Sequence, residues 1–234
     1  MPQNAEPRII VALDYPQAQS ALDFATRIEP GSCRLKVGKE LFTEAGPELV
    51  RQLVDAGHEV FLDLKFHDIP HTVNRAVAAA CRLGVWMVNV HALGGRAMLE
   101  AAREAVEAAE RRPKLIAVSL LTSMNQDTLN EIGIERPVER EVVELTGLSL
   151  AAGLDGMVCS AQEATLLRER FGDAPLLVTP GIRPEGSARG DQQRVMTPRE
   201  AIEAGSSYLV IGRPITQHPE PMAELERIRD TLGG

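Results

Sequence analysis

The chain has 234 residues, 44% hydrophobic and 25% charged, an ordinary globular composition that excludes collagenous, disordered and membrane classes. Its 33 acidic residues outnumber 25 basic ones, and the net charge of -8 argues against a general nucleic-acid binder. Aromatics at 3% leave little for stacking on bases, while a small anionic ligand stays compatible because local charge can oppose the total.

Short apolar runs alternate with amphipathic stretches along the whole length. Arg8 to Asp14 (RIIVALD) predicts a strand and Ala18 to Ile28 a helix. Cys33 to Val37 is a second strand, and Leu41 to Ala56 a second helix closed by Gly57. Glu59 to Lys65 (EVFLDLK) predicts the third strand, followed by a helix from Pro70 to Leu83 with Gly84 capping it. Trp86 to His91 is the fourth strand, and Ala97 to Arg112 a helix stopped by Pro113. Lys114 to Leu121 is the fifth strand; a polar connection and a helix over Val138 to Ala152 come next. Asp155 to Cys159, the helix Ala161 to Phe171, and Pro175 to Thr179 continue the alternation. An irregular stretch, Pro180 to Met196, precedes a short helix over Pro198 to Ala204, the eighth strand Tyr208 to Ile211, and a closing helix from Pro219 to Leu232.

Strict βα alternation implies parallel strands joined by right-handed crossovers. Eight such units, with no low-complexity linker between halves, predict an α/β fold: one (β/α)8 TIM barrel domain over residues 1–234. The rival, a doubly wound open sheet, lacks its usual dinucleotide fingerprint, since LDYPQAQ stands after the first strand instead of GxGxxG. Cys33, Cys81 and Cys159 are far apart and suit free thiols in a reducing compartment. No apolar run reaches the ~18 residues of a membrane span, and Met1 to Arg8 has no apolar signal core. A cytoplasmic protein without a membrane partner is expected.

In such barrels the working residues lie at the C-terminal strand ends. Here the first strand ends in Asp14, the second reaches Lys36, and the third ends in Asp63 and Lys65. Asp63 and Lys65 are two apart and share a face of a pleated strand, with Leu62 and Leu64 turned towards the helices. An isolated D-x-K can be a buried structural ion pair. With Asp14 and Lys36 on neighbouring strands, it reads instead as a network holding a lysine protonated and oriented. TPGIRP and VIGRPI put Gly181 with Arg183, and Gly212 with Arg213, in the turns after strands seven and eight. There, backbone N–H groups and arginine forks commonly take a phosphate.

Other features weigh less. His67 and His71 are four apart, but Pro70 interrupts a helical metal-binding face, and His91 is a lone histidine at a strand end. Glu100 to Arg112 is a solvated helix face, and no GxSxG elbow is present.

The run Asp63-Leu64-Lys65-Phe66-His67-Asp68-Ile69-Pro70-His71-Thr72 resembles the signature of the orotidine 5'-monophosphate decarboxylase family. LKVG with Lys36, LLTS at Leu120 to Ser123, GDQQR with Gln192, and IGRPIT with Gly212 and Arg213 match in order, and the resemblance spans residue 9 to about residue 217. It implies cofactor-free, metal-free decarboxylation of orotidine 5'-phosphate to UMP by a homodimer. Lys36, Asp63 and Lys65 of one chain would then work with Asp68 of the partner. Asp14 and Lys36 would hold the ribose and Thr122 would lie near the pyrimidine. Arg183, Gln192, Gly212 and Arg213 would take the phosphate, and Thr72 falls among the substrate contacts. Two alternatives stay open: a Mg2+-dependent sugar-phosphate decarboxylase or aldolase of the same superfamily, and a non-catalytic nucleotide-binding barrel. Lys36, a poor metal ligand, stands where the first would want an acid.

Overall fold

The computed structural model describes residues 6–185 and 196–232. Eight parallel strands close into a barrel in sequence order. They are β1 (Ile9–Ala12), β2 (Arg34–Gly38), β3 (Val60–Phe66), β4 (Met87–His91), β5 (Lys114–Val118), β6 (Gly156–Val158), β7 (Leu176–Thr179) and β8 (Tyr208–Ile211). Between and after them run α1 (Ala18–Ala25), α2 (Lys39–Asp55), α3 (Pro70–Arg82), α4 (Gly95–Glu107), α5 (Gln126–Glu131), α6 (Val138–Ala151), α7 (Ala161–Phe171), α8 (Pro198–Glu203), α9 (Arg213–Thr216) and α10 (Pro221–Asp230). The expected (β/α)8 TIM barrel is the fold observed.

Strand alternation divides the core in two. Side chains such as Ile10, Phe61, Met87, Ile116, Val178 and Val210 pack inside the barrel. Their neighbours Val11, Leu35, Leu62, Val88 and Leu177 face the helices, burying roughly 1.5–3 kcal/mol of apolar side chain apiece. Charge replaces this lining at both ends. At the N-terminal end Arg34, fully buried, pairs with Glu6 and Glu59. Its guanidinium lies 3.9 Å from the Trp86 ring centre and 5.0 Å from that of Tyr208. The other end carries the candidate site.

Several elements differ from the sequence expectation. The predicted second helix is broken: Gly46 has φ 68 and ψ -168, and Pro47 follows it. That combination is accessible essentially to glycine alone. The helix expected to run to Arg112 ends at Glu107, and the fifth strand ends at Val118. α5, capped by the Asn125 side chain, and the four-residue α9 were not predicted. The three cysteines are buried and unpaired, and no described helix is long and apolar enough to cross a membrane.

Candidate active site

β2 reads Arg-Leu-Lys-Val-Gly, and alternation turns Arg34 and Lys36 inward while Leu35 and Val37 join the outer core. The Lys36 ammonium reaches the C-terminal mouth, with Nζ 3.4 Å from Asp14 Oδ1 and 3.5 Å from Asp63 Oδ2. Gly38 leaves room for it, since a Cβ there would come within 3.2 Å of that nitrogen. Lys65 Nζ lies 2.5 Å from Asp63 Oδ1. Asp63 is thus held by two ammonium groups, one on each oxygen. Its side chain is 13% exposed, against 65% for Asp14, so water screens the Asp63 pairs far less than the Asp14 pair. Burial alone would raise the Asp63 carboxyl. The charges of Lys36 and Lys65 and hydrogen bonds from Lys65 and Asn89 outweigh it and hold the group below the usual carboxylate range.

Asp63 and Lys65 do meet on one face, but not through a regular pleat. From Leu62 to Phe66 on β3 the partner strand advances only from Val88 to Val90, the signature of a bulge. Within it Lys65 has φ 53, and no other described non-glycine residue has a positive φ. That conformation costs about 1–2 kcal/mol and clusters at working sites. Leu62 and Leu64 face the helices as expected, lining an apolar groove with Phe42 and Pro47 of α2.

Asp14, Lys36, Lys39, Asp63 and Lys65 line a cavity of about 160 Å³ at this mouth. Lys39, the first residue of α2, was not anticipated. A larger recess of about 1090 Å³ lies on the helical surface around Arg51, Arg75, Arg82 and Arg111 and includes none of these strand-end residues. Gly212 borders the mouth, since a Cβ on it would lie 3.6 Å from Asp14 Oδ2. Arg213 follows as the exposed first residue of α9. Gly181 has φ 79, and beyond it Arg183 is buried, its Nη1 donating to the Ile182 carbonyl at 3.0 Å. Thr122 sits half-buried in the turn after β5. Gln192 lies outside the described residues.

Asp68 is not drawn into the network of its own chain. It is exposed, and its Oδ1 accepts from the Ile69 N–H at 2.6 Å. Among the described residues no ion pair joins it to Lys36 or Lys65. Ile69 beside it is 65% exposed, and Thr72 in the first turn of α3 is exposed too. His67 stacks on His91, ring centres 5.3 Å apart. Asn89 on β4 was missed as well. Fully buried, it accepts from the Lys65 backbone N–H at 2.8 Å and donates to Asp63 Oδ1 at 2.7 Å. Its only signal in the sequence is one amide inside an apolar strand.

Comparison with known proteins bears on this arrangement. The profile of the family described as orotidine 5'-phosphate decarboxylase / HUMPS matches residues 7–228. The orotidine 5'-phosphate decarboxylase of Photobacterium profundum is 60% identical over 228 residues, 97% of this chain and 99% of that protein. Its counterpart from Nitrosococcus oceani is 58% identical over 221 residues, 94% of this chain and 95% of that one. The crystal structure of orotidine 5'-phosphate decarboxylase from Lactobacillus acidophilus superposes with a TM-score of 0.88 at 38% identity, covering 98% of this chain and 100% of that one. With the match running almost end to end, the chain belongs to the orotidine 5'-phosphate decarboxylase / HUMPS family.

Proposed function

We propose that this chain decarboxylates orotidine 5'-phosphate to UMP, the closing step of pyrimidine nucleotide synthesis, with Lys65 as the group that meets the reacting carbon. The observation that carries the reading is the Lys36–Asp63–Lys65 chain of charges in the mouth cavity. It supplies a cation whose counter-charge is held from behind.

The chemistry asks for such a group. Breaking the bond from C6 to the carboxylate releases CO2 and leaves the electron pair in an sp2 orbital that cannot delocalise into the ring. The Lys65 ammonium stabilises that pair and delivers a proton to C6, giving UMP and a neutral amine that solvent reprotonates. A positive charge fixed in place before the reaction needs no reorganisation as the carbanion forms. Asp63 also stands near the substrate carboxylate, and its repulsion adds a smaller ground-state contribution.

Asp14 and Lys36 hold the ribose hydroxyls in this reading, with Thr122 near the pyrimidine ring. Arg183, Gly212 and Arg213, joined by Gln192, take the phosphate. Asp68 completes the network of a second copy, and its exposed position beside Ile69 and Thr72 at the rim supports that homodimeric arrangement. Phosphate binding remote from C6 stabilises the closed, desolvated form in which the charges are aligned.

The test is direct. EDTA-treated protein mixed with orotidine 5'-phosphate should bleach the orotate absorbance and release one CO2 per UMP formed. UMP binding without CO2 release would replace this reading with a non-catalytic nucleotide binder. An absolute need for added Mg2+ would move it to the enediolate-forming relatives.

A further inference from the structure

We infer that Asn89 is a positioning residue for the reaction, fixing the bulged backbone at Lys65 and the orientation of the Asp63 carboxylate through one side-chain amide. This rests on the reading of Lys65 and Asp63 given above and extends it to a residue that lies behind them.

The interior of the barrel is apolar at this level, with Phe61, Met87 and Ile116 among its lining. An amide is costly there unless both of its ends are used. Asn89 uses both. Its Oδ1 accepts from Lys65 N at 2.8 Å and its Nδ2 donates to Asp63 Oδ1 at 2.7 Å. The two partners also fix which way the amide points, because the reverse orientation would set N–H against N–H.

The bulge explains why such a residue is needed. The β3–β4 register omits Asp63, Leu64 and Lys65, and the Lys65 N–H is met by a side chain on β4 instead of its backbone. The left-handed φ of 53 at Lys65 persists only where surrounding contacts over-determine it. Lys65 Nζ then returns to the same Asp63 Oδ1 at 2.5 Å. Asn89, the Lys65 backbone, the Lys65 ammonium and Asp63 Oδ1 form one closed ring of hydrogen bonds, and Asp63 Oδ2 is left facing Lys36. Aspartate at position 89 would keep the acceptor and lose the donor, leucine would lose both, and glutamine would be one carbon too long.

The groups facing Asp63 are Lys36 from β2, Lys65 from its own strand and Asn89 from β4. Asp14 lies beyond Lys36, Lys39 of α2 shares the cavity, and His91 stands near Lys65 and Lys39. Removing the Asn89 donor therefore takes away one of the groups favouring the charged carboxylate and raises the pH at which Asp63 is protonated.

The experiment is the pH dependence of steady-state kinetics with orotidine 5'-phosphate for wild type, Asn89→Leu and Asn89→Asp, with Lys65→Ala alongside. In both Asn89 variants kcat should fall on the order of 10²-fold, as expected for misplaced reacting groups, while KM stays near the wild-type value. The acid limb of kcat/KM should move to higher pH, further in Asn89→Asp, where a second carboxylate repels the charge on Asp63. Wild-type kcat in either folded variant, or a loss with the acid limb unmoved, would overturn the assignment. Substantial turnover by Lys65→Ala would instead bring down the reading it rests on. Should neither Asn89 variant fold, a wild-type crystal structure decides: the ring of bonds with Lys65 at positive φ upholds the inference, and Lys65 in the β region or Asn89 turned from Asp63 refutes it.

Discussion

In the proposed reaction Lys65 presents positive charge to a reacting carbon, and such a lysine needs its counter-charge behind it. Asp63 meets that need: Lys65 holds one of its oxygens, Lys36 the other, and both lysines belong to the barrel wall. In the proposed reading the arginines past β7 and β8 have a different task, because the phosphate lies far from the bond that breaks. If they act by stabilising the closed form, Arg213→Ala should lower kcat/KM for orotidine 5'-phosphate by about 10- to 100-fold, the range for a hydrogen bond to a charged group. Turnover of the same nucleoside lacking its phosphate should be unaffected, and an equal loss on both substrates would contradict the role. Asp14, Lys36, Asp63 and Lys65 were legible as a cluster in the sequence because charges closing three neighbouring apolar strands exceed what one structural ion pair requires. Asn89 was not legible. A single amide in the run WMVNVH resembles a tolerated core polar residue, and only the bulge opposite it shows what it holds.

At the scale of elements the strands are legible in the sequence and the irregularities are not. Leu41, Leu49, Val50 and Leu53, the buried residues of α2, keep a helical rhythm across the break at Gly46, so periodicity alone hides it. The pair Gly46-Pro47 was the available signal. A Cβ at position 46 would meet nothing within 4 Å, which makes the cost of Gly46→Ala purely conformational. We expect that substitution to destabilise the protein by about 1–3 kcal/mol, measured as a lower denaturant midpoint with unchanged slope. An unaltered midpoint would mean that the break tolerates ordinary backbone. α5 buries only Leu129 and α9 only Ile215. Helices this short have too few core positions to leave a periodic trace, and they are held by caps and tertiary context instead. The bulge in β3 escapes sequence reading for a related reason, since DLK fits a plain alternating strand equally well.

For the whole molecule, closing the sheet concentrates charge at two ends and excludes it from the middle. The Arg34 cluster seals one end, and the lysines of the other bear on how stability responds to pH. His91, stacked on His67 near Lys39 and Lys65, has its imidazole pushed down to about 4, by burial first and then by those neighbouring charges. In the unfolded chain it returns to about 6.5. Between the two values the unfolded chain binds more protons than the folded one, so this group makes stability fall as pH drops from about 6.5 to about 4. Tm should therefore depend less on pH across that window in His91→Gln than in wild type. Identical pH profiles would remove His91 from the explanation.

In the proposed reading the barrel holds one ammonium group against an acidic neighbour where a pyrimidine carbon can reach it. Lys65→Ala tests that most directly, with single-turnover decarboxylation and UMP binding measured on the same preparation. Turnover should fall by on the order of 10⁴-fold or more, the upper range for a positioned proton donor, while UMP still binds. Residual decarboxylation close to the wild-type rate would contradict the assignment of Lys65 as the group that meets the carbanion.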